Sequence, residues 1–505
     1  MKKIKKALVS VYHKEGLKEI LKKLDAAGVE IYSTGGTWKH LFNLGIDAIK
    51  VEDITGYPSI LGGRVKTLHP KVFGGILARG DNAEDTQQLK DYDIPAFDLV
   101  IVDLYPFEET VANTSDETKI IEKIDIGGIS LIRAAAKNHK EVMVVPSKDY
   151  YREFTTLIND NDCCTSAEDR KRFAMGAFKV SSHYDAAIFQ YFQGGDELQA
   201  LTISEVEARA LRYGENPHQK GIFYGHLEDM LQKISGKEIS YNNLLDIDAA
   251  IRLIADFEET TVAILKHNNA CGIASRPILK EAWDKALEGD PVSAFGGIIV
   301  SNAAIDYITA QEINKLFYEV VIAPDYSYEA LELLKKKKTR IILKLKHSHF
   351  PNKIVRSVLN GYLMQEADKV TEIVDDMKPV TLVSPKESEY EDLVFANKVV
   401  KHTKSNAMVI VKEKQLIASG LGETSRVDAF KQALEKAKGF GKEVQGGVLA
   451  SDAFFPFDDN VALAHSVGIN AVVQPGGSKR DGDSIEYCDE NGMAMCFTGT
   501  RHFKH

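Results

Sequence analysis

The chain has 505 residues, too many for one hydrophobic core, so two to four domains are expected. Its 44% hydrophobic and 27% charged residues are ordinary for a globular protein, and a net charge of −10 argues against a nucleic-acid protein held by a global basic surface. No run approaches membrane-spanning length, and the apolar stretch after the basic start is too short for a signal peptide. The five cysteines, Cys163, Cys164, Cys271, Cys488 and Cys496, form no C-x-x-C pair and no metal-type Cys/His spacing, which suits a cytoplasmic location and no metal site.

In chain order, Ala7–Tyr12 reads as a strand, and Leu17, Ile20, Leu21 and Leu24 follow at helical spacing to face a sheet. Val29–Ser33 is the next strand. It ends in Ser33-Thr34-Gly35-Gly36-Thr37, a hydroxyl- and glycine-rich turn into a helix, a pattern that suits a phosphate. Asp98–Tyr105 and Glu141–Pro146 are further buried strands, so the first part is a layered α/β sandwich with parallel crossovers. Two segments stand out. Gly62–Pro70 (GGRVKTLHP) sets Arg64, Lys66 and His69 beside glycines, and Asp125–Lys137 (DIGGISLIRAAAK) opens a helix on two glycines and ends it on Lys137. A basic loop and an ordinary amphipathic helix are the plain alternatives, but two such loops and a hydroxyl turn in one small domain converge on an anion.

Together STGGT, GGRVKTLHP, DLYP and DIGGISLIRAAAKNH resemble the first half of the PurH family of bifunctional purine-biosynthesis proteins, which joins AICAR formyltransferase to IMP cyclohydrolase. The resemblance implies a methylglyoxal-synthase-like three-layer domain over residues 1–198, in which formyl-AICAR closes to inosinate with loss of water. By position, Lys66, Tyr105, Asp125 and Lys137 then line the ring-closure site, while Lys14, Ser33, Thr34, Gly35, Gly36, Thr37, Arg64 and Thr67 hold phosphate and ribose. One departure is visible. Where many relatives carry Ser-Asp before the lysine, this chain has Tyr12-His13-Lys14.

Glu168–Phe192 reads as a long helix closing the first domain, with a boundary at Gln193-Gly194-Gly195-Asp196. RYGENPHQ (Arg212–Gln219) follows. Arg212 suits bidentate phosphate binding and Tyr213 can stack on a flat ring. The run Val262–Leu265 reads as a buried strand that stops at Lys266-His267-Asn268-Asn269, with Gly272 letting the chain turn. Past the carboxyl end of a strand, Lys266 supplies fixed charge and His267 a base near neutral pH, although a solvated loop accounts for Lys-His alone.

From here the chain repeats itself faintly. GGIIVSN at Gly296 returns as GGVLASD 150 residues later, VVIAP ending at Pro324 returns as AVVQP 151 residues later, and AILKH at Lys266 has a counterpart in VIVKE at Lys412. Two tandem α/β units are the simplest reading, joined by the more polar Leu345–Pro385. The resemblance implies cytidine-deaminase-like subdomains over residues 199–365 and 366–505, but H-x-E with P-C-x-x-C, the zinc pattern of deaminases, is missing.

It also implies that Lys266 and His267 catalyse formyl transfer from 10-formyltetrahydrofolate to AICAR, with no zinc and with a potassium ion permitted. Further positions carried over are Arg212, Tyr213, Gly214, Asn216, Gly297, Glu319, Asn406, Arg426, Phe454, Asp459 and Arg501. Asn406 and Phe454 fall to the folate, Arg212 and Arg501 to the AICAR phosphate. A homodimer sharing its transferase sites is implied as well, with small molecules as ligands and neither nucleic acid nor membrane as partner. A nucleotide sensor needs only the phosphate contacts, and a methylglyoxal-synthase-like lyase leaves the second half unexplained.

Overall fold

A computed structural model describes residues 1–194 and 200–505, so the boundary expected at Gly195-Asp196 and residue 198 lies outside the described residues. The chain divides into two units, Met1–Val206 and Glu207–His505.

The first unit is built on a five-stranded sheet in the order Ile49–Lys50, Glu30–Ser33, Lys6–Ser10, Leu99–Val102, Met143–Val145, with every pair parallel. Leu99–Val102 is buried throughout, as a strand covered on both faces must be. On one face lie the helices Leu17–Ala26, which buries Leu17, Ile20, Leu21 and Leu24 as expected, and Tyr151–Asp160. On the other lie Pro70–Leu77, Gly127–Lys137 and Ala167–Gln193. Because the strands are parallel, the loops after Ser10, Ser33 and Val102 leave from one edge of the sheet, the edge where such folds bind ligands.

The second unit carries one twelve-stranded sheet, and the repeat seen in the sequence is visible in it strand for strand. The hairpin Thr261–Lys266/Asn269–Ser275 is matched by Met408–Lys412/Gln415–Gly420, and the two hairpins meet where Ala274 pairs with Gln415. The trio Ile298–Ser301, Val320–Ala323 and Ile341–Leu345 runs parallel outward on one side. Val448–Ser451, Ala471–Gln474 and Ala494–Phe497 do so on the other. Helices Tyr241–Ile254 and Glu387–Lys401 cover one face over a single core spanning both copies, with Phe257 edge-on to Phe395 at 5.1 Å. The opposite face holds two cores, one around Trp283 and one around Phe430.

The polar run after Leu265 is a tight hairpin turn, and Thr261–Lys266 is antiparallel to both its neighbours. The turn is made by His267 and Asn268, both left-handed (φ 51° and 66°), and not by Gly272. Gly272 sits mid-strand, where an added Cβ would come 1.8 Å from the Ala286 carbonyl oxygen. Its counterpart Gly420 would come 1.6 Å from that of Ala429. Glycine is needed there so that a helix can lie against the strand. The connector also contains an exposed hairpin, Lys353–Val358/Gly361–Glu366, and the division expected after residue 365 falls inside its second strand.

Candidate functional site

In the first unit, Arg64, Lys66, Tyr105 and Asp125 line one cavity of roughly 590 Å³, together with Tyr12 and Lys123. Asp125 is buried at the start of the Gly127–Lys137 helix and accepts the Gly128 N–H at 2.6 Å. Burial pushes its carboxyl up, and backbone N–H bonds from Gly128, Tyr105 and Ile129 pull it back. Burial also raises the Tyr105 phenol, with the Asp125 charge adding to the effect, so this hydroxyl keeps its proton at neutral pH. Thr67 is buried beneath the helix start, where a Cβ on Gly127 would lie 3.1 Å from its Oγ1.

The hydroxyls of the Ser33–Thr37 turn are already used. Ser33 Oγ donates to the Val9 carbonyl at 2.8 Å, Thr34 Oγ1 lies 2.8 Å from Ser10 Oγ, and Thr37 Oγ1 donates to the Val11 carbonyl and accepts its N–H. These side chains tie the turn to the neighbouring strand. Gly35 and Gly36, exposed at the helix N-terminus with nothing near their Cβ positions, form the part open to an anion. Lys14 Nζ donates to the Val11 and Tyr12 carbonyls at 2.8 and 2.7 Å, and burial pulls its ammonium down against the charges of Asp103 and Glu15. Lys137 is the exception among the expected ring-closure residues. It is exposed at the far end of its helix, about 15 Å from Gly127 at 1.5 Å per residue, and does not line the cavity of its own chain.

Asp103, absent from the expected set, explains how Tyr12-His13 is accommodated. Its buried carboxylate accepts the backbone N–H groups of both residues and lies 2.8 Å from His13 Nδ1.

In the second unit, His267 is exposed at the hairpin tip and its ring makes no hydrogen bond among the described residues. The tip is held from below by Asp246 on the Tyr241–Ile254 helix, which accepts the Asn268 N–H at 2.6 Å. Burial raises the Asp246 carboxyl, and that N–H bond and His267 oppose it. Asn269 reaches both ways, donating to the His267 carbonyl at 2.8 Å and accepting the Lys404 N–H at 3.1 Å. Lys404 leads into Asn406, whose amide donates to the Glu423 carbonyl at 2.9 Å. Ser405 pairs with Lys504 in the C-terminal tail, where Arg501 is exposed with its guanidinium 4.4 Å from the Phe503 ring. His267, Asn406 and Arg501 are thus joined through consecutive hydrogen-bonded segments.

Arg212 is exposed and lies over Tyr213 at 5.5 Å. Gly214 and Asn216 close their loop onto Gln219, and Asn242 on the Asp246 helix donates to the Glu215 carbonyl. Gly297 lets its strand approach Leu265, whose carbonyl oxygen a Cβ would meet at 2.8 Å, and it accepts the Glu319 N–H while Glu319 pairs with Lys237. Phe454 is 38% exposed. Asp459 opens the helix Asp459–Ser466 and accepts from Asn460. Arg426 differs from the expectation of a substrate contact. Its guanidinium is buried against Ser451 Oγ at 2.8 Å and Asp452 Oδ1 at 2.7 Å, so it braces the site from within.

The two hairpins share one scaffold. Lys266 Nζ donates to the Phe295 carbonyl at 2.7 Å, and Lys412 Nζ donates to that of Gln445 at 3.0 Å. Asp392 accepts the Glu413 and Lys414 N–H groups as Asp246 accepts that of Asn268. Lys266 therefore has a structural task common to both copies, and His267 stands where the other copy has Glu413. The spacing of Asp246 to Asp392 equals that of Lys266 to Lys412, a signal in the sequence that could have singled out Asp246. Among the described residues no group of three His, Cys, Asp or Glu is arranged to hold a metal ion, and no helix is long and apolar enough to cross a membrane.

The model described as the AICARFT/IMPCHase bienzyme matches residues 135–436, and that of the MGS-like domain matches residues 16–130. The chain is 59% identical over 504 residues to the bifunctional purine biosynthesis protein PurH of Bacteroides thetaiotaomicron, covering 100% of this chain and 99% of the relative. Proteins of the same name from Acetivibrio thermocellus and Aquifex aeolicus are 46% and 47% identical over 518 and 515 residues, each covering 99% of this chain and 100% of the relative. With that match over more than half of its length and these relatives over its whole length, the chain belongs to the AICARFT/IMPCHase bienzyme family.

Proposed function

We propose that the two reactions of the family are divided between the two units, formyl transfer around His267 and ring closure in the cavity of Lys66, Tyr105 and Asp125. The chain transfers a formyl group to the 5-amino group of AICAR and cyclises formyl-AICAR to inosinate. For the first step we assign 10-formyltetrahydrofolate as donor. The acceptor is an aromatic amine, a poor nucleophile, so a base must take its proton as charge builds on the formyl oxygen. His267 is that base. Lys266 holds the turn and lends charge beside it, Arg212 and Arg501 hold the AICAR phosphate, and Asn406 and Phe454 face the folate. The observation that carries the reading is a doubled hairpin scaffold in which one copy alone presents a histidine, free at its tip.

For ring closure, Gly35 and Gly36 offer backbone N–H groups to the phosphate, and Lys66 supplies charge at the reacting end. Tyr105 keeps its proton for donation to the formyl oxygen, and Asp125 is the base. A homodimer is part of the proposal, supported by the exposed apolar side chains of the Lys353–Glu366 hairpin, Leu359, Tyr362 and Leu363. The test is to mix the protein with AICAR and 10-formyltetrahydrofolate and follow inosinate. No inosinate from AICAR, with conversion of supplied formyl-AICAR, would remove the transferase assignment alone.

A further inference from the structure

The ring-closure cavity contains a cation that neither its motifs nor the resemblance assigns. Lys123 Nζ lies 5.0 Å from the centre of the Tyr12 ring and 5.4 Å from that of Tyr105, and the two rings meet edge to face at 5.4 Å. No carboxylate among the described residues pairs with it, because the adjacent Glu122 turns to Arg64. Its backbone is fixed by the Tyr184 hydroxyl, which donates to the Lys123 carbonyl at 2.6 Å and accepts the Asp125 N–H at 2.9 Å. One hydroxyl therefore sets Lys123 and Asp125 in register. Tyr12 is fixed in turn by its N–H on the buried Asp103. An ammonium walled by aromatic faces and free of a carboxylate keeps its charge for a ligand.

We propose that Lys123 binds the negative charge that develops on the formyl oxygen during ring closure, and that Tyr12 is the positioning residue that holds it there. The inference rests on the ring-closure reading of this cavity. In the step concerned, the carboxamide nitrogen forms a bond to the formyl carbon and gives up a proton to the base. The carbonyl π pair moves onto the formyl oxygen beside Lys123, and that oxygen takes a proton. It then leaves as water with a second proton as the former formamide N–H is lost and the ring C=N bond forms. Lys123 exchanges no proton in this scheme. It acts on the oxygen only while that atom is charged, so its removal falls on kcat.

The experiment uses the full-length protein and supplied formyl-AICAR, with formyl transfer measured in parallel as the control for folding. Lys123→Gln is expected to lower kcat for ring closure about a hundredfold, with KM changed less than about twofold. Tyr12→Leu should lower kcat about tenfold, and Tyr12→Phe should recover most of that loss because the ring is retained. An unchanged kcat in Lys123→Gln, or a raised KM with kcat intact, overturns the assignment; the latter would put Lys123 on the substrate phosphate. Equal losses in Tyr12→Leu and Tyr12→Phe overturn the role of the ring. If the unaltered protein fails to cyclise, the reading of the cavity itself falls, an outcome distinct from any of these.

Discussion

His502 is expected to act as a pH-dependent clamp on the C-terminal tail that carries Arg501. It is 2% exposed, with Nδ1 2.6 Å from Asp368 Oδ2 and Nε2 3.0 Å from Glu372 Oε1, and Glu372 is itself buried and also accepts from Asn397. Burial by itself would lower the imidazole pKa, but the bonds to Asp368 and Glu372 and their charges outweigh it and raise it from 6.5 to about 9. At about 1.4 kcal/mol per pH unit, that difference corresponds to about 3–4 kcal/mol. Screening of Asp368, 44% exposed, brings it to about 2 kcal/mol. Because the folded value lies above the unfolded one, the contribution is complete below about pH 6.5 and is lost as pH rises through about 9.

The two tryptophans of the chain fall one in each unit, Trp38 in the first and Trp283 buried in the second, so a Trp38→Phe background isolates the second. Urea unfolding of Trp283 fluorescence, with and without His502→Ala, should differ by about 2 kcal/mol at pH 6 and by less than about 1 at pH 10. Other titrating groups cancel in that difference. A gap that is the same at both pH values, or absent at pH 6, would refute the clamp.

The remaining predictions concern the two sites and their scaffold. His267→Asn should reduce formyl transfer at least a hundredfold while cyclisation of supplied formyl-AICAR is retained; parallel loss of both activities would argue against separate sites. Lys66→Met should do the reverse, and an unaltered cyclisation rate would remove it from the mechanism. Arg426→Met leaves the buried Asp452 carboxylate unpaired and is expected to cost about 3–5 kcal/mol in the same Trp283 assay; a loss below about 1 kcal/mol would mean that Asp452 finds another partner. Gly272→Ala drives a Cβ into the Ala286 carbonyl and should destabilise the second unit, visible as a lower urea midpoint, whereas Gly439→Ala in the same unit, with open space around it, should not.

Residue types and spacings sufficed to read the alternation of strands and helices, the face of the Leu17–Ala26 helix and the tandem repeat of the second unit. Those features follow from local periodicity and from backbone demands, such as a strand-end lysine on a carbonyl, that recur at constant spacing wherever the scaffold recurs. Strand direction around Lys266 was not legible, since a short apolar run looks alike in parallel and antiparallel sheets. Gly272 likewise served packing where a turn was expected, because a missing Cβ does not reveal which neighbour requires its absence. The third dimension alone decided which polar side chains remain available. Ser33, Thr37 and Arg426 spend their hydrogen bonds on the fold, Lys137 is carried away by the length of its helix, Asp103 and Lys123 gain their roles by meeting Tyr12 across the fold, and Asp246 by meeting the hairpin tip. Availability depends on which partner lies within about 3 Å, and tertiary packing sets that distance.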